Sequence, residues 1–227
     1  MTIFYYLCGA MDKKYTKEEE WINAVSHGVG FVMSVAVCTF FLVYGYKSGD
    51  TITKTSLWLY MLGVLSSYLF STLYHACRAS SEWKQCLRRI DHAAIYWHIA
   101  GSYSPITLIA LRDVDYWGWG IFFFCWLCAS VGTLLSIFNF NKQSRLETLC
   151  YVLMGMTILV AFKPFYENVD GWILFWVIAE GVSYIIGAIL YSFHKVKYIH
   201  SVFHLFVIIG DVCHMIAVWK IIEIYLS

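Results

Sequence analysis

Long apolar runs joined by short polar segments dominate the chain. Seven stretches qualify as membrane spans: Ile22 to Tyr46, Ser56 to His75, His92 to Leu111, Tyr116 to Asn139, Leu146 to Phe165, Gly171 to Phe193 and His200 to Tyr225. About 20 apolar residues cross a hydrocarbon core of roughly 30 Å. A segment in lipid must satisfy its own backbone hydrogen bonds, so each run is expected to be helical. None alternates polar and apolar residues, which argues against an outer-membrane barrel. The prediction is an all-α integral membrane protein. Residues 1–21 form a cytoplasmic tail and 22–227 a single seven-helix transmembrane domain, without internal repeat or low-complexity tract.

Composition agrees with this pattern. Of 227 residues, 60% are hydrophobic and 14% charged, whereas a soluble domain carries roughly a quarter charged residues. Aromatic residues crowd the ends of the runs, where headgroups would lie. A cleaved signal peptide is not expected, because the stretch Thr2 to Met11 is short, lacks a basic leader and is followed by polar Asp12 to Glu20. A net charge of +1 gives no reason to expect a nucleic-acid partner; membrane lipids are the expected partners, in the inner (cell) membrane.

Lys and Arg set the orientation. With the N-terminus cytoplasmic, the inner segments hold Lys13, Lys14, Lys17, Arg78, Lys84, Arg88, Arg89, Lys142, Arg145, Lys195 and Lys197, which is 11 cations. The outer segments hold Lys47, Lys54, Arg112, Lys163 and Lys220, which is 5. This bias predicts an inside N-terminus and an outside C-terminus.

Candidate chemistry begins at His200-Ser-Val-Phe-His204, where two imidazoles at i and i+4 share a helix face. The predicted directions of the spans bring His75, at the end of the second, and Asp91 with His92, at the start of the third, to the same inner level. Three histidines with an open fourth position suit a catalytic zinc. Asp91 is placed to orient or deprotonate water, and Ser71 lies one turn deeper than His75 on the same face. Histidines hydrogen-bonded to loops at the interface are the plainer reading, since His combines an apolar body with a polar tip.

Ser71-Thr-Leu-Tyr-His75, Asp91-His-Ala-Ala-Ile-Tyr96, Ala100-Gly-Ser-Tyr-Ser-Pro105, His200-Ser-Val-Phe-His204 and Val212-Cys-His214 resemble the hemolysin III family. So does Asn23-Ala-Val-Ser-His27-Gly-Val-Gly30. That family is the bacterial branch of the progestin and adiponectin receptor (PAQR) family, and the resemblance extends from about Glu20 to the end. It implies seven helices with the N-terminus inside, and zinc (Zn2+) held by positions matching His75, His200 and His204. The family's Asp and Ser match Asp91 and Ser71, and the related alkaline ceramidases use a similar set to hydrolyse a lipid amide. His27 and His92 are candidates for supporting positions around the ligands, and His194 reads as a solvated loop residue.

Other polar groups lie deeper in the predicted spans. Helix rise places His98 and Asp211 at similar depth, and Glu180 and His214 deeper still, so two buried pairs are expected. A neutral acid bonded to a backbone carbonyl is the alternative for each carboxylate. Pro105 should kink the third span, while Gly101 and Ser102 beside it permit either close packing or a wider cavity. Cys125 and Cys128 lie in mid-span and read as packing residues. Three functions compete: a zinc-dependent lipid amide or ester hydrolase at the inner leaflet, a lipid-responsive receptor or regulator with structural zinc, and, last, a pore-forming cytolysin.

Overall fold

The structure, a computed structural model, describes residues 15–138, 144–193 and 195–226. The stretch Thr2 to Met11, together with Lys13, Lys14, Lys142 and His194, lies outside the described residues. Regular structure among those described is entirely helical. The helices are α1 (Lys17–Lys47), α2 (Thr51–Ala76), α3 (Trp83–Pro105), α4 (Trp117–Phe138), α5 (Ser144–Gly155), α6 (Phe162–Asn168), α7 (Gly171–Tyr191) and α8 (Ile199–Tyr225). A π-helical turn, Ile106–Ala110, extends α3, and a 3-10 turn, Met156–Leu159, follows α5.

The starts of several helices are written in the sequence. Thr16 and Glu19 form a reciprocal capping box at α1, in which the Glu19 N–H donates to Thr16 Oγ1 at 3.2 Å and the Thr16 N–H to Glu19 Oε2 at 2.9 Å. Asp50 accepts from the N–H groups of Ile52 and Thr53 at the start of α2, and Asp170 from that of Trp172 at α7. Asp50 also pairs with Arg112 at 2.6 Å. The Thr53 hydroxyl and this guanidinium hold its carboxyl well below the usual range.

Among the described residues, five helices are long and apolar enough to cross a membrane: α1, α2, α4, α7 and α8. A bent pair, Glu147–Leu159 with Phe162–Asn168 at 48°, gives a sixth if counted as one span. The run expected to be continuous from Leu146 to Phe165 is therefore broken. The third element begins at Trp83 rather than near His92. It is too polar to qualify by composition because it turns Lys84, Gln85, Arg89 and His98 into the protein.

On α1, burial is the reverse of that in a soluble helix. On α1 the inward stripe is Asn23, His27, Gly30, Ser34 and Cys38, whereas Val25, Val29, Val32 and Val43 face outward. Val32 is 69% exposed and Asn23 is 0% exposed. In water, such a surface would drive aggregation; in lipid it costs nothing. Small residues govern how closely the helices approach. A Cβ on Gly63 of α2 would lie 2.4 Å from the Trp97 carbonyl oxygen of α3, and one on Gly101 would lie 3.2 Å from the Gly63 Cα. The glycine beside Pro105 thus serves close packing.

Around this crossing α2 packs on α1 and α3, α3 on α4, and α8 on α1 and α7. Pro105 lacks an N–H, and beyond it the helix widens so that the Leu111 N–H reaches Ile106 O at 2.9 Å. Hydroxyls bond to nearby carbonyls there, Ser104 to Ala100 O and Thr107 to Tyr103 O.

Candidate metal centre

The starts of α1, α3 and α8 and the end of α2 meet at one end of the bundle. His75 occupies the last turn of α2, while His200 and His204 occupy the first two turns of α8. One nitrogen from each lies within 4.8 Å of the others, in the arrangement of a metal-ligand set. His200 Nε2 is 3.1 Å from His75 Nε2 and 3.1 Å from His204 Nε2. Zn–N distances of about 2.0–2.1 Å in a tetrahedral sphere place ligand nitrogens about 3.3 Å apart. The spacing fits such an ion.

Neighbouring hydrogen bonds fix which nitrogens are available. His75 Nδ1 is 2.7 Å from the Glu20 carboxylate, so it carries the proton and leaves the Nε2 lone pair free to bind. Ser26 Oγ gives its proton to Asn23 O at 2.9 Å and therefore accepts from His204 Nδ1 at 3.1 Å. The His204 Nε2 lone pair is freed in the same way. Both lone pairs point at His200 Nε2, which can donate to only one of them at a time. A shared cation satisfies all three.

Glu20 is itself held, with its other oxygen 2.8 Å from Lys84 Nζ. That ammonium also donates to Tyr74 O at 2.6 Å and Cys77 O at 3.2 Å. Tyr15 covers the cluster, its ring centroid 5.1 Å from that of His200 and 5.7 Å from that of His75. Burial pushes the Tyr15 hydroxyl far above the usual tyrosine range. The starts of α1 and α8 are tied further by Ser201 Oγ donating to Asn23 Oδ1 at 2.6 Å and the Tyr198 N–H to Glu19 Oε1 at 2.9 Å.

The remaining site candidates distribute around a cavity of about 280 Å³. Ser71 and Asp91 line it with His200 and His204. His27 stacks on His204 with centroids 3.5 Å apart and planes at 15°. His92 is drawn to another partner, Glu147 of α5, at 2.9 Å; the other Glu147 oxygen accepts from Ser136 at 2.8 Å. Deeper, His98 Nε2 lies 2.9 Å from Asp211 Oδ1, which also accepts from the Tyr184 hydroxyl. His214 Nδ1 lies 2.7 Å from Glu180 Oε2. These are the two pairings that helix depth suggests.

Sequence reasoning missed Glu20, Ser26, Lys84, Glu147 and Tyr184 as site residues. Glu20, Asn23 and His27 follow helical spacing on one face of α1, a polar stripe that could have revealed Glu20. Glu147 is an acid within an apolar run, the same signal that revealed Glu180.

A family model described as "Haemolysin-III related" matches residues 15–215. "Hemolysin-3" of Bacillus cereus is 34% identical over 194 residues, covering 86% of this chain and 87% of that protein. "Hemolysin-3 homolog" of Bacillus subtilis (strain 168) is 31% identical, with 87% and 91% covered. "Monocyte to macrophage differentiation factor" of Homo sapiens is 28% identical, with 76% and 73% covered.

Proposed function

The chain belongs to the haemolysin-III related family, and from that premise we propose that it is a zinc-binding membrane protein acting as a lipid amide or ester hydrolase at the inner leaflet. Convergence of three imidazole nitrogens, two of them held as lone-pair donors by Glu20 and Ser26, carries the reading. In this reading α3 joins the five apolar helices and the bent α5–α6 pair as the seventh span. Its polar groups are tolerated because they face the bundle rather than lipid. The 11-to-5 cation bias puts the metal end at the cytoplasmic side of the cell membrane.

Zinc, when bound, supplies the Lewis acid and the acidified water that cleavage of an amide or ester needs. His75, His200 and His204 hold it. Asp91 takes the proton released as water adds to the carbonyl carbon and returns it to the departing amine or alcohol. The Ser71 hydroxyl, beside Asp91, positions the carbonyl. The cavity receives the acyl chain, with its walls mostly apolar beyond these groups.

A second reading rests on one observation: the cluster draws on α2 and α8 and is braced from α1, so the ion would also act as a cross-link in a lipid-responsive receptor or regulator. Two measurements separate them. Purified protein should contain about one zinc per chain, lost in His75→Ala, His200→Ala or His204→Ala. Asp91→Ala should keep zinc and alter cellular lipid composition. If that variant keeps zinc and leaves every lipid species unchanged, the hydrolase reading is wrong and the cross-link reading stands.

A further inference from the structure

The cavity does not end at the histidine cluster. His204 and His214 are ten residues apart on α8, about 15 Å along the axis at 1.5 Å per residue. Both line the cavity, as does Glu180. His214 is 1% exposed and gives Nδ1 to Glu180, yet its Nε2 has no hydrogen-bond partner among the described residues. The stretch between is walled by apolar side chains such as Ile95, Ile99, Val177 and Val207. His98 and Tyr184 also reach the cavity, but Asp211 engages them. A polar point thus stands at the far end of an apolar passage.

We propose that the Glu180–His214 pair is a hydroxyl-binding subsite, selecting amphiphiles with a hydroxyl on the chain about 15 Å from the head group. A buried ring nitrogen without a partner is costly, and an unsubstituted acyl chain leaves it so. A hydroxyl both donates and accepts, so it satisfies Nε2 whichever proton state the Glu180 contact imposes. An ammonium group can only donate, so it fails against a ring protonated at Nε2, and against the unprotonated nitrogen it carries the larger cost of burying a charge in an apolar passage. The proposal rests on the reading that a lipid chain occupies the cavity, and is independent of whether that lipid is cleaved.

The test uses full-length protein in detergent micelles and measures binding of ω-hydroxy fatty acids of increasing length, each beside its unsubstituted acid and its ω-amino acid. At one chain length the hydroxy acid should bind at least tenfold more tightly than both. His214→Phe alone strands Glu180, so the double variant Glu180→Met/His214→Phe, apolar and of similar volume, is compared as well. It should keep its metal content and its affinity for the unsubstituted acid while losing the tenfold preference. If all acids bind without a hydroxyl preference, or the double variant retains it, the subsite is refuted while the lipid reading stands. Preference for the amine refutes the hydroxyl assignment. If no acid binds, the lipid reading fails and this inference with it.

Discussion

Replacing Glu20 by Gln isolates the support of one metal ligand. The carboxylate accepts from His75 Nδ1 at 2.7 Å and pairs with Lys84 at 2.8 Å, one oxygen for each. Gln has one acceptor oxygen and a donor amide, so whichever way it turns it loses one partner. Facing its oxygen to His75 sets the amide against the Lys84 ammonium. Facing it to Lys84 sets the amide against His75 and favours the tautomer whose Nε2 carries a proton. The imidazole also loses the negative charge that makes it a better donor. Loss of such a supporting group typically costs 10–100-fold in metal affinity, or about 1.4–2.7 kcal/mol at 1.36 kcal/mol per decade. Zinc competition against a chromophoric chelator in detergent reads this directly. Glu20→Asp, too short to span both contacts, should fall in the same range. Wild-type affinity in Glu20→Gln, with binding lost in His75→Ala, would refute the tautomer argument.

His98→Phe and Asp211→Leu should each destabilise the bundle by about 3–5 kcal/mol by stranding a buried partner; the double variant should recover part of that loss, and a thermodynamic cycle with zero coupling would deny the pair. Gly63→Ala forces a methyl against the Trp97 carbonyl at 2.4 Å, so the α2–α3 crossing must open; a loss of about 1–3 kcal/mol is expected by thermal unfolding, whereas Gly171→Ala, with nothing nearby, should be close to neutral. The depressed Asp50 carboxyl gives stability that is complete above its unfolded value of about 3.9 and is lost as pH falls through its lower folded value. Arg112→Met should make the melting temperature less sensitive to acid below about pH 4, and an unchanged profile would remove this linkage.

The legible parts of the fold were those set by periodicity and depth. Continuous apolar runs marked α1, α2, α4, α7 and α8, since lipid permits no other backbone solution. Depth along these runs aligned His75 with His200 and His204, and His98 with Asp211, because helix rise is constant. Two features escaped. The break between α5 and α6 lies between Gly155 and Pro164, two helix-breaking residues that a reading by mean apolar character passes over. The early start of α3 at Trp83 was hidden because Lys84 and Arg89 read as loop cations, whereas both are buried; Lys84 bonds backbone carbonyls and Glu20, and Arg89 reaches Ile137 O at 3.0 Å. Glu20 stands among three consecutive acids, and only its helical spacing to Asn23 and His27 marks it as the one that faces inward.

The polar groups along α8 suggest what fixes the register of this bundle. Apolar side chains discriminate poorly between neighbouring helices when lipid tails offer them equal surroundings. Along α8, however, His200 and His204 engage His75 of α2, Asp211 engages His98 of α3 and Tyr184 of α7, and His214 engages Glu180 of α7. Sliding α8 by one turn, about 5.4 Å, would break all of these together and leave several buried polar groups without partners. Apolar contacts would be exchanged for similar ones at little cost. The same spacing that aligns the helices therefore sets three polar levels along α8. His200 and His204 of the histidine cluster, His98 of the intervening pair and the Glu180–His214 pair all line the cavity, at three depths.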